Sequence, residues 1–405
     1  MDVEIRTISE DEFATYARAV EIAFSDAPTD EDIERERALV ELDRSFAAID
    51  GPDIVGTAAV FTMPMTVPGG EIEIGFVTAV GVRATHRRRG INTRLMRTLL
   101  DDAHRRGEFV DVLYASEGGI YGRYGYGLAT FGYSIDLERS RSAFVRGYAP
   151  SGKVRLVERE PALKEILGVL DATRRSRPGM VQLDERRLTY ALHEHGPDAK
   201  LQQLFVLHEG PDGVDGFAAY HVKHEWPEGF PKSVLSVLDL QAASPGAYAD
   251  LWRYVFEVDL IERVQAWSRP VDEPLVHLLQ EPRRLGARLR DNLWVRPVDV
   301  AGALGARRYA SDGRVVLEVA DPFCPWNEGR YVLEATDGEP NVTAGGAEAP
   351  DLTCTVSEIG ATYLGGTSFR QLHRAGRVDE HTHGALGRAD AMFGWDPAPW
   401  CPYPF

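Results

Sequence analysis

Between residues 78 and 92 the chain reads Thr78-Ala79-Val80-Gly81-Val82-Arg83-Ala84-Thr85-His86-Arg87-Arg88-Arg89-Gly90-Ile91-Asn92, and no other stretch restricts the fold as much. Val80 and Val82 close a strand-like run that begins near Ile72. Ile91, Leu95, Leu99 and Ala103 then recur at helical spacing. A strand therefore ends and a helix begins across one short turn carrying three arginines and a glycine. The first N–H groups of a helix have no backbone partner and carry the positive end of its dipole. Gly90 keeps a side chain out of their approach, and arginines add charge-assisted bonds to phosphate oxygens. The junction is a candidate pyrophosphate site with Arg87, Arg88, Gly90 and Ile91 at its rim. A solvated basic loop is the plainer alternative, and the strand before and helix after count against it.

Around this junction, residues 1–148 alternate strand and helix patterns. Residues 3–6 and 54–61 read as strands, residues 10–24 as an amphipathic helix, and residues 110–114 as a further strand. Pro64, Pro68, Gly69 and Gly70 join the strand over residues 54–61 to the one that starts at Ile72. Thr29 caps a helix expected over residues 30–43, with Asp32 three positions on as in a capping box. Gly147, Pro150 and Gly152 suggest a boundary near residue 148. Residues 149–290 then repeat a similar order, with helices near 161–176, 184–193 and 245–259 and strands near 201–208, 215–223 and 234–241. In this second copy the strand 234–240 leads into Gln241-Ala242-Ala243-Ser244-Pro245-Gly246, with no arginine–glycine turn. A pyrophosphate has no cradle there, so one active site per chain is expected. Residues 291–405 shift to strands with glycine and proline, plus helices near 357–363 and 367–374, a third α+β region.

Composition excludes several classes. A net charge of −17 argues against a nucleic-acid partner, which needs a basic face, and suits a cationic substrate. No apolar run approaches the roughly 20 residues that span a bilayer. The start, Met1-Asp2-Val3-Glu4-Ile5-Arg6, lacks the basic and apolar segments of a signal peptide, so a cytoplasmic protein without membrane partners is expected. Cys324, Cys354 and Cys401 are odd in number and far apart, and the histidine pairs lack a third ligand at a metal-site spacing. No metal is expected.

A second segment reads Ser116-Glu117-Gly118-Gly119-Ile120-Tyr121-Gly122-Arg123-Tyr124-Gly125-Tyr126-Gly127. Any one of three clustered tyrosines is ordinarily a packing residue. Taken together, though, Arg87-x-x-Gly90 after Val80-x-Val82 and Tyr121-x-x-x-Gly125-Tyr126 resemble the GNAT acetyltransferase superfamily. The usual loop has Gly or Ala where this chain has Asn92. The resemblance implies that the backbone of Val80 and Val82 bonds the pantetheine arm of acetyl-CoA and that the loop holds its pyrophosphate. It also implies that Tyr121 protonates the departing thiolate, which a phenol with a pKa near 10 is able to do at neutral pH.

Over all 405 residues the chain is similar to the enhanced intracellular survival (Eis) family, most specifically at His86-Arg87-Arg88-Arg89-Gly90 and at residues 116–123. That resemblance implies an α+β fold of tandem GNAT domains, mixed sheets flanked by helices, followed by a sterol carrier protein-like α+β domain. The expected spans are 1–148 (catalytic), 149–290 (degenerate) and 291–405. It further implies that Ser116 contacts the cofactor, that the terminal carboxylate of Phe405 is the general base, and that Asp26 helps bind the substrate. The expected acceptor is a primary amine of a polycation such as an aminoglycoside, or a lysine-type amine, and the expected assembly is a homohexamer. Some relatives carry an acidic residue before the terminal aromatic, where this chain has Pro404. Two readings of other kinds stand beside the enzyme: a lipid-binding carrier built on the third domain, and an acetyl-CoA-binding scaffold without turnover.

Overall fold

The computed structural model describes residues 3–25, 29–145, 147–192 and 200–403. Two compact units emerge. One joins the chain up to Thr130 with Asn292–Pro399, and the other runs over Phe131–Asp291 and takes in Trp400–Tyr403.

The first unit holds a seven-stranded mixed sheet. Its strands are, in order, β1 (Glu4–Thr7), β2 (Ser45–Asp50), β3 (Asp53–Val67), β4 (Gly70–Val82), β5 (Val110–Tyr114), the strand Leu293–Pro297, and β6 (Gly127–Leu128). Helices α1 (Phe13–Phe24), α2 (Asp30–Arg37) and α3 (Ile91–Arg106) accompany it. Ile91, Leu95, Met96, Leu99, Leu100 and Ala103 make one buried stripe along α3, packed with Phe46, Val55, Val60 and Val77 of the sheet. Gly107 in the left-handed conformation closes α3, its N–H bonding back to the carbonyls of Ala103 and His104.

Two expectations shift here. Pro64 lies inside β3 rather than ending it, because β2 pairs with β3 only as far as Ala59 and the later residues have β4 alone alongside. The capping box at Thr29 and Asp32 is present, but α2 stops at Arg37 instead of continuing to residue 43. The chain is needed elsewhere: the Glu41 carboxylate accepts from the Thr62 N–H at 2.6 Å and from its hydroxyl at 2.8 Å, stitching this stretch to β3.

The second unit repeats the architecture. Its sheet runs Arg288–Asp291, Phe131–Glu138, Ile261–Pro270, Ser233–Ala242, Gly213–Lys223, Gln203–Gly210, Lys153–Val157. The break expected at residue 148 therefore falls inside this unit, and the two sheets trade strands. Phe131–Glu138 follows the first sheet in sequence yet pairs with Ile261–Pro270 and Arg288–Asp291, while Leu293–Pro297 follows the second sheet yet pairs with β5 and β6. Without Leu293–Pro297, β5 would present an open edge of unpaired backbone groups. No local signal in either strand says which sheet it joins.

The remainder of the first unit is a five-stranded sheet, Glu339–Ala344, Gly329–Thr336, Gly313–Ala320, Leu352–Thr355 and Asp379–Glu380 in order. Helices Val300–Gly305, Val356–Thr362, Phe369–Arg374 and Ala385–Phe393 complete it. Leu317, Leu333, Ile359, Phe369, Met392 and Phe393 fill the space between sheet and helices with tightly buried side chains.

Candidate active site

β4 and β5 run parallel but pair only over residues 75–77 against 111–113. β4 continues to Val82 with β3 as its one partner. A bulge causes the parting. Ala79 and Val80 together stand opposite Ala58, and Ala79 takes a positive φ of 52°. That conformation costs a non-glycine residue about 1 kcal/mol, and it is held on both sides. The Thr57 hydroxyl donates to the Ala79 carbonyl at 2.8 Å, and the Tyr16 hydroxyl of α1 donates to the Ala58 carbonyl at 2.9 Å. From residue 78 onward the edge of β4 that faces β5 has no strand partner among the described residues. Val80 and Val82, half-buried, lie on this stretch.

The turn that follows leads straight to the helix. Arg88 (φ 62°) and Gly90 (φ 76°) are both left-handed, the kind of backbone that curls N–H groups around an anion. Gly90 is the N-cap of α3, and among the described residues no side chain caps that end. A Cβ built on Gly90 meets nothing within 4 Å. The glycine is thus needed for its backbone angle, and no described residue crowds the space before it. Arg87 and Arg88 are exposed on this turn. Ile91 turns its side chain into the core at 2% exposure, leaving only its N–H for a ligand. Tyr124 braces the first turn of α3: its hydroxyl lies 3.3 Å from both Asn92 Nδ2 and Thr93 Oγ1, and its ring packs on Phe323. The sequence had offered it only as a packing residue.

β5 ends at Tyr114, and a single helical turn, Gly118–Tyr121, carries Tyr121 back against the core. Tyr121 is 5% exposed and meets the Tyr126 ring edge-on at 6.0 Å. Burial raises its pKa above the ordinary phenol value, opposed by a hydrogen bond from the exposed Ser116. The phenol therefore keeps its proton at neutral pH. Val80, Val82, Ile91 and Tyr121 share one apolar cluster, so the strand edge, the helix start and the phenol converge. Gly127 serves packing: a Cβ there would lie 1.8 Å from the Ser357 carbonyl oxygen of helix Val356–Thr362. Below the point where β4 and β5 part, Asp111 is fully buried and neither carboxylate oxygen has a hydrogen-bond partner among the described residues. Burial, with Glu108 nearby, holds its pKa well above the usual carboxylate range.

In the second unit the equivalent strands, Ser233–Ala242 and Ile261–Pro270, also pair only at their start, over residues 233–237. The helix that follows, Pro245–Glu257, differs from α3. Pro245 has no N–H, and the Ser244 hydroxyl occupies the helix end by accepting from Ala247 N–H at 3.1 Å. That end is closed to a phosphate. Two residues expected at the site, Asp26 and Phe405, lie outside the described residues. Next to Asp26, the acids of α2 are largely engaged: Asp30 pairs with Arg18 at 3.0 Å, and Glu31 and Asp32 pair with Arg35.

A mixed sheet whose fourth and fifth strands part beside an uncapped helix start defines a GNAT acetyltransferase. Residues 4–129 and 179–297 each match an acetyltransferase (GNAT) domain family, and residues 300–402 match a sterol carrier protein domain. An uncharacterized N-acetyltransferase of Streptomyces avermitilis is 40% identical over 415 residues, covering 100% of both chains. N-acetyltransferase Eis of Mycobacterium tuberculosis is 32% identical over 419 residues, covering 98% of both. The crystal structure of Eis1 from Mycobacterium abscessus superposes with a TM-score of 0.85 at 32% identity, over 99% of this chain and 100% of that one. The chain belongs to the Eis family of N-acetyltransferases. It is an acetyltransferase enzyme, with two GNAT domains followed by a sterol carrier protein-like domain.

Proposed function

We propose that the first unit transfers an acetyl group from acetyl-CoA directly to a primary amine within a ternary complex. The observation that carries this reading is the uncapped start of α3 lying next to the open edge of β4. Arg87, Arg88 and the N–H groups at Gly90 and Ile91 hold the pyrophosphate, and the backbone of Val80 and Val82 bonds the pantetheine arm. Ser116 contacts the cofactor beside Tyr121. As the amine nitrogen bonds to the thioester carbonyl carbon, the C–S bond breaks. The sulfur takes the Tyr121 proton and leaves as coenzyme A thiol. The amine proton passes to the terminal carboxylate of Phe405, a weak base near pKa 3.5 that acts through burial or a relaying water. Tyr121 regains a proton as the carboxylate gives one up, so the net products from the neutral amine are the acetamide and coenzyme A; an acceptor that arrives as an ammonium releases one proton to solvent before the attack.

Asp26 attracts a cationic acceptor, and the chain's charge of −17 favours polycations, aminoglycosides first and lysine-type amines second. A carrier role for the third domain is disfavoured by a core filled with its own side chains. A cytoplasmic homohexamer completes the reading, checked for assembly by light scattering of the purified protein. The deciding experiment is a coenzyme A-release assay with aminoglycosides, polyamines and lysine peptides as acceptors. Release with none of them, alongside tight acetyl-CoA binding, would favour the scaffold instead.

A further inference from the structure

In the second unit the parted strands are bridged by another part of the chain. The last four described residues, Trp400–Tyr403, fill the gap. On one side the Tyr403 hydroxyl donates to Asp239 Oδ2 at 2.6 Å and accepts from Gln241 Nε2 at 3.1 Å, both on strand Ser233–Ala242. On the other, the Trp400 indole N–H donates to Ser268 Oγ at 3.0 Å, on strand Ile261–Pro270. Arg269 bridges the two: its guanidinium sits 5.4 Å from the Trp400 ring centroid and donates to the Leu240 carbonyl at 2.8 Å, a group left free where the strands part. A buried ion pair with Glu273 at 2.8 Å holds that arginine in place. The backbone N–H of Trp400 closes the set by donating to the Pro178 carbonyl at 2.9 Å.

These groups are deeply sequestered. Trp400, Cys401 and Tyr403 are 3%, 0% and 3% exposed, and Asp239, Gln241 and Arg269 are 4%, 6% and 4% exposed. Buried polar side chains are costly unless partners satisfy them, and here the chain's own end supplies the partners. The groove has a definite occupant, held by bonds to both of its walls.

We propose that the second GNAT-type unit is a clamp for the chain's own C-terminal segment, with Asp239, Gln241 and Arg269 as its positioning residues. Its parted strands hold a peptide in place of a cofactor arm. Pro402 and Pro404 each fix one backbone dihedral, so little slack remains beyond the clamp. Phe405 follows Tyr403 by two residues, a reach of at most about 7 Å. Holding Tyr403 thereby sets where the terminal carboxylate is able to go. This last consequence rests on the proposed role of Phe405 as general base; the clamp itself does not.

Two measurements on the full-length protein separate these claims. Hydrogen exchange of the C-terminal peptide reads the clamp, and steady-state kinetics with acetyl-CoA and the best acceptor of the amine screen reads the base. Tyr403→Phe keeps the ring and removes the bond to Asp239. It is expected to speed exchange at Trp400 and Cys401 about tenfold, the range for one buried hydrogen bond. It is expected to lower kcat by a similar factor with the KM for acetyl-CoA unchanged. Asp239→Leu should behave alike, while Asp239→Asn, which still accepts from Tyr403, should restore both readouts to within about threefold. Unchanged exchange in Tyr403→Phe overturns the clamp. Faster exchange with unchanged kcat overturns its positioning role, and deletion of Phe405 then shows which part failed. If that deletion abolishes turnover, the base reading stands and the clamp does not position the base; if turnover survives, the base reading falls.

Discussion

At the scale of single residues, Tyr121 is the most sharply defined group in the first unit. Its position in the Tyr-x-x-x-Gly-Tyr pattern selected it, and burial at 5% exposure explains why it stays protonated. Tyr121→Phe should lower kcat by about 10²–10⁴-fold, the range for a lost general acid, while acetyl-CoA binding measured by calorimetry stays near wild type. Because burial raises the phenol's pKa, activity should show no descending limb from Tyr121 below pH 10. A second prediction concerns Asp111, which the sequence hid inside an ordinary strand pattern. Its folded pKa lies above its unfolded value, so the folded state binds the proton more tightly. Its contribution to stability is complete below about pH 4 and is lost as pH rises through the folded pKa. Asp111→Asn should therefore raise the neutral-pH stability, because a neutral amide does not have to be kept uncharged on burial. Denaturant melts at pH 4 and pH 8 check it, since the gain should vanish at the lower pH.

At the scale of elements, the contrast between two helix starts decides where a cofactor is able to bind. α3 begins at a left-handed glycine with no capping side chain, and helix Pro245–Glu257 begins at a serine cap followed by proline. Both were legible as residue strings, because capping chemistry is local. What the strings did not contain is the parting of β4 and β5. That depends on a bulge at Ala79, whose strained backbone is held by Thr57 and Tyr16 from other elements. Replacing Arg88 and Gly90 together by glutamate should weaken acetyl-CoA binding by about 100-fold, since two negative charges meet the pyrophosphate where an arginine had stood. Part of any stability loss, about 1–2 kcal/mol, will come from placing a side chain at φ 76°. Ser244→Ala is the control: it should cost about 1 kcal/mol of stability and leave acetyl-CoA affinity unchanged.

At the scale of the whole molecule, the two sheets are not contiguous pieces of chain. A fragment of residues 1–148 lacks Leu293–Pro297 and so leaves β5 without its outer neighbour. Such a fragment should fail to fold cooperatively or should aggregate, read by circular dichroism and sedimentation, while the full chain does neither. The full chain should bind one acetyl-CoA, and a calorimetric stoichiometry of two would contradict the closed helix end at Ser244 and the filled groove behind Tyr403. By itself the sequence determined the local chemistry: the arginine–glycine turn after a strand, its absence from the second copy, the capping box at Thr29, and Tyr121 within its signature. These are set by neighbours a few residues away, so periodicity and spacing reveal them. Only the tertiary structure decided which sheet Phe131–Glu138 and Leu293–Pro297 join, that Asp111 is buried without a hydrogen-bond partner among the described residues, and that Tyr403 closes onto Asp239. Those outcomes depend on contacts between residues more than a hundred positions apart, or on burial that no local pattern encodes.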